Sequence, residues 1–374
     1  MFINRIVSSA VLEALDSGKI VIIYGPRQAG KTTLSKKIIN TTGLKALYAN
    51  ADQIKYIDII ASRDLNKMKS LVSGYDLLFI DEAQRIPEIG LNLKILHDEL
   101  PQLKVLVTGS SSFLLSNRIS ETLTGRKKIF TLLPFSVGEL RSMFTDFEIA
   151  DMIDHLLIFG SYPEVIKNTG YHEKEDYLNE VSVSYLFKDI LELENIKYPS
   201  KIRDLLRLLA LQLGSQIRIH EIGTQLKLNA ETVERYLFLL ERSFIVFKLP
   251  AFSRNPRKEI SKSQKYYFYD NGIRNALIGD FKLAEARADM GALWENFVIA
   301  ERRKKLIFER RLFQAFFWRN YAGAELDYLE EYQGKLYAFE IKANKMKKNP
   351  PKAWKAVYDS EYNCITKENF LQFF

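Results

Sequence analysis

The stretch KIVIIYGPRQAGKTTLSKKII, residues 19–39, joins three local patterns in one run. An apolar segment, Ile20 to Tyr24, predicts a buried strand, and Lys31-Thr32-Thr33 opens a predicted helix. Between them lies a turn that has glycine at both ends, Gly25 and Gly30. Glycine lets backbone N–H groups approach an anion closely, and the start of a helix favours negative charge. The order strand, glycine-containing turn and helix therefore predicts a phosphate-binding loop.

The residue types in this loop extend the prediction to a nucleotide. Lys31 is placed to reach β- and γ-phosphates, and Thr32 offers a hydroxyl to Mg²⁺. We therefore expect ATP and Mg²⁺ as cofactors, and we expect Lys31 to contribute to catalysis. The predicted cofactor-binding residues of the loop are Gly25, Pro26, Arg27, Gln28, Ala29, Gly30, Lys31, Thr32 and Thr33.

A second apolar strand ends in two acidic residues, in the stretch YDLLFIDEAQRIPEIG, residues 75–90. Asp81, at the carboxyl end of the strand, can hold Mg²⁺ through water. Glu82 can orient or deprotonate the attacking water. This pair favours hydrolysis of the nucleotide over mere storage.

A third strand, in LKVLVTGSSSF (residues 103–113), ends in Thr108-Gly109-Ser110-Ser111. It predicts a small hydroxyl that could sense the γ-phosphate, and Ser110 is the candidate. Serine-rich loops after strands are common, so this motif is less specific than the first two.

Length and composition predict a globular chain of two or three domains, with 374 residues and an ordinary apolar content. Cys364 is the one cysteine, which excludes an intramolecular disulfide framework and fits a reducing cytosol. The start of the chain contains no apolar run longer than IVIIY before its first P-loop glycine. We expect no signal peptide, no membrane anchor and a cytoplasmic location.

Net charge is +8, and basic residues cluster in the second half of the chain. Such clustering favours a polyanion partner, with DNA as the candidate, although a lysine-rich surface can also serve solubility alone. The clusters are Arg254, Arg257, Lys258, Lys262 and Lys265; Arg302 to Lys305; and Lys345, Lys347, Lys348, Lys352 and Lys355.

Four segments together resemble a known family: GPRQAGKTT, LLFIDEAQRIPE, TGSSSFLL and LTGRKKIFTLLPFSVGEL. They are similar to the AAA+ ATPases of a bacterial and archaeal group with a C-terminal domain of unknown function, over nearly the whole chain. The resemblance implies a Mg-ATP-dependent switch or motor core with a parallel sheet between helices. It also implies that Arg126, or its rival Arg118, contacts the γ-phosphate, in a neighbouring subunit if the protein is a homo-oligomer. Either arginine could instead form a surface salt bridge with Glu121.

The middle of the chain predicts helices and then a winged helix. In the resembling family a helical lid follows the ATPase core. After it, the order helix, helix, turn, helix, strand, basic loop and strand is typical of a winged helix, with Asn229 at a helix start and Asp270 opening a later one. Glu231, Glu234 and Glu241 make the would-be recognition helix acidic, which argues against base recognition and favours a structural or protein-binding role.

The stretch GAELDYLEEYQGKLYAFEIKAN, residues 323–344, predicts a hairpin that turns at Gln333-Gly334. A two-residue turn places Asp327 opposite Glu340 and Glu325 opposite Lys342, all on one face. Tyr337, Phe339 and Ile341 lie on the other face, so we expect the charged face not to be the core face. Facing carboxylates repel, and a cation must compensate them, either Lys342 or a metal.

A helix that carries Glu295, followed by this hairpin, resembles the PD-(D/E)xK nuclease fold. The resemblance implies that Glu295, Asp327 and Glu340 hold one or two Mg²⁺ and that Lys342 positions the attacking water. The Pro-Asp pair of that motif is replaced by Glu325-Leu326-Asp327. Salt bridges without metal explain the same residues equally well.

Together these patterns predict an α/β chain: a P-loop NTPase parallel sheet, a helical lid, a winged helix and a restriction-endonuclease-like α/β domain. The predicted boundaries are 1–145, 146–200, 201–285 and 286–374. We expect an ATPase coupled to a C-terminal module that binds nucleic acid or protein. The alternatives are an ATP-regulated metal-dependent DNA nuclease and a non-catalytic scaffold switched by ATP.

Overall fold

The computed structural model describes residues 2–109, 122–182, 196, 198–253 and 264–374. These residues form two compact units, the first running from Phe2 to Leu133 and the second beginning at Pro134. Some predicted residues lie outside the described part of the chain: Ser110, Arg118, Arg254, Arg257, Lys258 and Lys262. None of the helices described is long and apolar enough to cross a bilayer.

The first unit is built on a five-stranded parallel sheet in the order β2-β3-β4-β1-β5. Its strands are β1 (Ile20–Tyr24), β2 (Ala46–Asn50), β3 (Leu77–Asp81), β4 (Lys104–Gly109) and β5 (Lys127–Thr131). Its described helices are α1 (Ser8–Asp16), α2 (Lys31–Thr42), α3 (Ile54–Ile60), α4 (Leu65–Val72) and α5 (Ile89–Glu99). The predicted parallel sheet is confirmed.

Continuous apolar runs explain why the central strands lie inside this sheet. In β1 and β3 the first four residues are buried in succession, without the alternation of a strand that has one wet face. Helices must therefore cover both faces. The carboxyl ends of the parallel strands share one edge, where the residues after β1 meet the last residues of β3 and β4.

Helices make up the first part of the second unit, and a small sheet follows. Ser136 and Thr145 start α6 and α7 with capping boxes to Glu139 and Glu148. The described helices are α6 (Val137–Leu140), α7 (Asp146–Asp151), α8 (Ile153–Phe159), α9 (Pro163–Lys167), α10 (Tyr171–Glu180), α11 (Pro199–Leu211), α12 (Ile219–Leu226), α13 (Ala230–Arg242), α14 (Asn271–Ile278), α15 (Met290–Phe308) and α16 (Lys352–Lys355).

The predicted winged-helix region contains α11, α12, α13 and a three-stranded antiparallel sheet. Its strands, in the order β6-β8-β7, are β6 (Gln216–Ile217), β7 (Val246–Pro250) and β8 (Gln264–Phe268). Asn229 caps α13 by accepting a hydrogen bond from the Thr232 N–H at 2.8 Å, as predicted. Asp270 likewise caps α14. The winged-helix identification itself stays a prediction.

A four-stranded sheet in the order β12-β11-β10-β9 completes the second unit. Its strands are β9 (Gln314–Arg319), β10 (Glu325–Tyr332), β11 (Lys335–Ile341) and β12 (Glu361–Ile365). The predicted hairpin register is confirmed, because Tyr332 pairs with Lys335 and Tyr328 with Phe339. Gln333 and Gly334 both have positive φ, as a turn matched to the strand twist requires.

The expectation that the charged face of the hairpin lies outside the core is wrong. A bulge between Leu326 and Leu329 shifts the register of β10 against β9 and places both leucines in one apolar cluster with Trp354. On the charged face, Asp327 and Glu340 are only 7% and 2% exposed. The apolar face is buried as well, with Phe339 packed on Phe373 at 4.7 Å between ring centres.

The basic cluster at residues 302–305 is an internal feature of α15, not a surface for a polyanion. Arg302 forms two hydrogen bonds with Glu330, at 2.6 and 2.8 Å. Lys304 is 2% exposed and donates to Glu301 at 2.6 Å. Burial of an ammonium requires such a partner, since an isolated charge inside the protein is strongly destabilising. The helix thus uses these cations to hold the unit together.

Replacing Lys304 by methionine tests this network. The variant leaves the buried Glu301 carboxylate without its cation, so we expect unfolding to be easier by about 3–5 kcal/mol. Chemical denaturation measures the change, and Lys305→Met is the control on the same helix. Pairing Lys304→Met with Glu301→Gln should restore much of the loss. An unchanged midpoint for Lys304→Met alone would contradict a structural role for the pair.

Candidate functional site

The predicted phosphate loop joins β1 to α2, from Gly25 to Gly30. Gly30 precedes the helix in a left-handed conformation, with φ 92°. Gly25 passes so close to the chain after β5 that a Cβ there would lie 1.8 Å from the carbonyl oxygen of Leu132. Only glycine fits at that position. The loop thus presents the amino end of α2, where backbone N–H groups can bind an anion.

Lys31 is the first residue of α2 and is buried, with 5% exposed. Its Nζ donates hydrogen bonds to the carbonyl oxygens of Gly25 and Pro26, at 3.0 and 2.8 Å. The ammonium therefore lies against the loop that is expected to bind phosphate. A phosphate is a stronger acceptor than these carbonyls because it is charged.

Asp81, at the end of β3, meets two hydroxyl groups from neighbouring elements. Thr32 Oγ1 lies 3.0 and 2.9 Å from the two carboxylate oxygens of Asp81. Thr108 Oγ1, from β4, donates to Asp81 Oδ1. Strand β4 lies between β3 and β1, so the sheet order explains why Thr108 is within reach. The structure therefore brings Thr32 and Asp81 together, and their role in holding Mg²⁺ stays a prediction.

Glu82 follows Asp81 in a left-handed conformation, with φ 56°, which is uncommon for a residue with a side chain. Its N–H donates to Thr108 Oγ1 at 3.4 Å, and its Oε2 accepts from Gln84 Nε2 at 2.5 Å. The carboxylate is therefore held by a neighbouring amide. Sequence reasoning named Glu82 but missed Gln84, although it lies two residues away in the same motif.

Two further contributors were missed by sequence reasoning. Thr108 was noted only as part of a serine-rich loop, although its position at the end of a strand was a usable signal. Arg5 is 6% exposed, and its NH2 donates to the carbonyl oxygens of Ala29 at 2.6 Å and Leu133 at 2.7 Å. No sequence signal predicts the Arg5 contacts, because the bonded residues are distant in the chain.

The remaining residues of the predicted loop differ in exposure. Pro26 and Ala29 are buried, whereas Gln28 and Thr33 are exposed and Arg27 is intermediate. Gln28 has a positive φ of 63°.

Arg126 lies away from the phosphate loop of its own chain. Arg126 immediately precedes β5, which runs parallel to β1 and starts beside it, since Ile20 pairs with Lys127. Arg126 therefore lies at the end of the sheet where β1 begins. The phosphate loop follows the opposite end of β1. Arg126 is bonded to Asp98, with Nε to Oδ1 at 2.7 Å, and this hydrogen bond lowers the pKa of Asp98. Contact of Arg126 with a γ-phosphate stays a prediction, and its place at the opposite end of β1 favours a neighbouring subunit over the same chain.

In the second unit, a cleft of about 620 Å³ gathers all the residues of the predicted C-terminal site. The cleft is lined by Glu295 from α15, Asp327 from β10 and Glu340 from β11. Lys342, directly after β11, lines it as well. Charged side chains that were not assigned to the site join them: Lys265, Glu325 and Lys347.

The predicted compensation of Asp327 and Glu340 by Lys342 is confirmed, whereas the predicted position of Glu325 opposite Lys342 is wrong. Lys342 Nζ lies 3.1 Å from Asp327 and 3.0 Å from Glu340, not against Glu325. The reason is that the paired part of the hairpin ends at Tyr328, and Asp327 instead accepts the Ile341 N–H at 2.7 Å. Burial alone would lower the pKa of Lys342, but the two carboxylates outweigh it and raise the pKa.

The expectation that Lys265 belongs to a basic cluster facing a polyanion is wrong for this residue. It is 4% exposed, and its Nζ lies 2.6 Å from Glu325 and 3.5 Å from Glu295. Tyr267 also donates to Glu295, at 2.6 Å. Burial raises the pKa of Glu295, against the opposing effect of Lys265.

A divalent metal was the expected alternative to these ion pairs. Lys342 and Lys347 both contact Glu340, while Lys265 and Tyr267 contact Glu295. Within the described ranges, no three or more His, Cys, Asp or Glu side chains are grouped so as to hold a metal. The residues of the cleft, arranged in this way, do not fit a divalent ion.

Gly25→Ala tests the close approach that shapes the phosphate loop. The added methyl would force the loop away from Leu132, at a cost of about 1–3 kcal/mol, so we expect weaker binding of a fluorescent ATP analogue. Gly291→Ala is the control, because a Cβ there meets nothing within 4 Å. Equal binding by Gly25→Ala and the parent would show that the loop tolerates a side chain.

Three matches to known families cover most of the chain. Residues 17–141 match an AAA domain, residues 150–284 match a domain of unknown function (DUF8612), and residues 290–368 match another domain of unknown function (DUF4143). The AAA match supports nucleotide binding by the first unit. The other two matches carry no statement of activity.

The chain is also similar over most of its length to two uncharacterized proteins. It is 31% identical to the uncharacterized protein Rv2008c of Mycobacterium tuberculosis over 347 residues, 91% of this chain and 74% of that protein. It is 26% identical to the uncharacterized protein MJ1544 of Methanocaldococcus jannaschii over 345 residues, 87% of this chain and 75% of that protein.

Among solved structures, the Walker-type ATPase paby2304 of Pyrococcus abyssi shares the fold, with a TM-score of 0.50 and 16% identity. The alignment covers 74% of this chain and 96% of that one. Together with the parallel sheet, this likeness supports the P-loop NTPase fold. The chain, whose residues 17–141 match an AAA domain, belongs to the same family as Rv2008c of Mycobacterium tuberculosis.

Proposed function

We propose that this protein binds ATP with Mg²⁺ in its first unit and hydrolyses it. The observation that carries the proposal is the contact of the Thr32 hydroxyl with both carboxylate oxygens of Asp81, at 3.0 and 2.9 Å, beside the amino end of α2. A hydroxyl and a carboxylate are hard oxygen donors, which suit Mg²⁺. The two motifs that a P-loop ATPase needs therefore meet in space.

Each residue of the site has a defined part in this proposal. The backbone of Gly25–Gly30 and the Lys31 ammonium would bind the phosphates, and Thr32 and Asp81 would hold Mg²⁺. The metal, when bound, neutralises charge that develops on the phosphates. Glu82 would orient or deprotonate water, once its carboxylate leaves Gln84. Thr108 holds Asp81 in place.

The C-terminal part of the proposal is a module that binds nucleic acid. Five lysines between β11 and the end of α16 are exposed: Lys345, Lys347, Lys348, Lys352 and Lys355. One of them, Lys347, also lines the acidic cleft. A run of exposed cations favours binding to a phosphate backbone. A protein partner is the alternative, since α13 carries three glutamates where a DNA-reading helix would be basic.

Metal-dependent DNA cleavage is not part of the proposal. The carboxylates that would hold the metal already contact lysine or tyrosine donors. Assembly into a homo-oligomer would give Arg126 a role, because it lies on the surface of its own unit, about one-third exposed.

Glu82→Gln tests hydrolysis directly. Loss of the base should lower kcat by roughly 100-fold or more and leave the affinity for ATP intact, because glutamine keeps the shape of the side chain. Turnover is measured by phosphate release and affinity by titration, with the exposed Glu99→Gln as the matched control. Unchanged turnover in Glu82→Gln would show that the base is another residue. A parent protein that binds ATP without turnover would favour the ATP-switched scaffold.

Replacing Lys345 and Lys348 by alanine tests the nucleic-acid module. If both touch phosphates, affinity for duplex or single-stranded DNA should fall for every sequence, and the slope of log K against log salt should decrease by about two. The double variant Lys67→Ala/Lys69→Ala, exposed in the first unit, controls for net charge. The same salt dependence in all three proteins would turn the search toward a protein partner.

A further inference from the structure

A pocket of about 410 Å³ lies beside α16 and the start of β12. Two tyrosines line it and form its tyrosine wall: Tyr358 and Tyr362. Trp354, Lys355 and Asp359 line the pocket as well, and none of these five residues lines the acidic cleft. Ligand clefts span roughly 300–1,000 Å³, so the pocket has the size to hold a planar ring system.

Packing behind the pocket holds the tyrosine wall in place. Trp354 is fully buried and packs on Tyr358, with 4.3 Å between ring centres, and on Phe252, with 5.8 Å. The Trp354 Nε1–H donates to Ser360 Oγ at 2.8 Å, which ties α16 to the residue before β12. The pocket is therefore formed in advance, and a ligand that packs on the wall does not have to order it.

Tyr362 joins the pocket to the basic segment after β11. Its hydroxyl donates to the carbonyl oxygen of Lys347 at 3.2 Å, and the Lys347 N–H donates to Cys364 Sγ at 3.3 Å. Both partners belong to β12, so this strand holds the segment next to the pocket. Tyr358 and Tyr362 are each half-buried, which leaves part of the wall within reach of a ligand.

The segment that forms the pocket is rich in positive charge. Between residues 344 and 362 the chain carries five lysines, all exposed, and two acidic residues, Asp359 and Glu361. Exposed lysines suit phosphate groups, whereas aromatic rings suit the face of a base. Asp359, which lines the pocket, disfavours a phosphate inside it and can accept an N–H of a base.

We propose that this pocket binds an unpaired base of a single-stranded nucleic acid, stacked on the tyrosine wall, while the exposed lysines bind the flanking phosphates. A base inside a duplex has both faces covered by its neighbours, so it cannot stack on a side chain. An unpaired base offers a face whatever its identity, so we expect little sequence preference. The inference rests on the proposed nucleic-acid module, whose substrate class it names, and does not depend on ATP hydrolysis.

Affinity for a labelled oligo(dT) of roughly 12 nucleotides, measured by fluorescence anisotropy on the full chain, tests the inference. Tyr362→Leu removes a ring and no charge. We therefore expect its affinity to fall about tenfold or more, with the salt dependence of the parent. Tyr362→Phe keeps the ring and should bind as the parent, and so should Tyr321→Leu, which removes a fully exposed tyrosine elsewhere. Affinity for a duplex should be the same in all four proteins.

Photocrosslinking of the parent gives a second readout that does not depend on the folding of a variant. The probe is oligo(dT) with 5-iodouracil in place of one thymine, because this base crosslinks to aromatic side chains on which it stacks. Trypsin cleaves after Lys355 and Lys367 and releases both tyrosines of the wall in one peptide, residues 356–367. We expect mass spectrometry to find the crosslink in that peptide.

Either of two results would overturn the inference and leave the lysine-based module in place: parent-like affinity of a folded Tyr362→Leu for oligo(dT), or crosslinks confined to other peptides. No binding of oligo(dT), oligo(U) or duplex by the parent would overturn the module and the inference together, and would favour a protein partner. Where the inference holds, the tighter of oligo(dT) and oligo(U) identifies the source of the base as DNA or RNA.

Discussion

The carboxylate of Asp81 joins three neighbouring elements of the first unit, and the candidate site depends on that junction. It accepts hydrogen bonds from Thr32 at the start of α2 and from Thr108 at the end of β4. This is possible because β4 lies between β3 and β1 in a parallel sheet, so that all three carboxyl ends share an edge. A change of strand order would separate the phosphate loop from its acidic partner.

Charge compensation governs the second unit in a different way. Its cations are directed inward: Arg302 to Glu330, Lys304 to Glu301 and Lys265 to Glu325. Each of these three cations has an anion within contact distance, as burial of charge requires. The lysines of the cleft follow the same rule, and for this reason a motif that resembles a nuclease site takes the form of ion pairs in this chain. The lysines after β11 are exposed, and of these Lys347 also contacts Glu340.

Local patterns in the sequence predicted local structure well. The Gln333-Gly334 turn fixed the hairpin register, and the caps at Asn229 and Asp270 marked helix starts. These features depend on residues within a few positions of each other. The meeting of Thr32 with Asp81 was also predictable, because parallel strands place their carboxyl ends together.

The errors of prediction have physical causes that a single sequence does not show. The pairing of β10 with β11 ends at Tyr328, so Lys342 contacts Asp327 and Glu340 and not the predicted Glu325. Lys265 follows a basic stretch that is typical of a surface loop. Its burial depends on ion pairs with Glu295 and Glu325, which are distant from it in the sequence. Arg5 contacts Ala29 and Leu133, which are distant in the sequence, and the spacing of apolar residues does not predict such contacts.

The central claim is that Thr32 and Asp81 form the Mg²⁺ side of an ATP site, and the most direct test is the metal dependence of ATP affinity. Calorimetric titration with a non-hydrolysable ATP analogue, with and without Mg²⁺, would compare the parent with Asp81→Asn. The account predicts that Mg²⁺ strengthens binding to the parent and has little effect on the variant. Equal strengthening by Mg²⁺ in both proteins, or in neither, would contradict it.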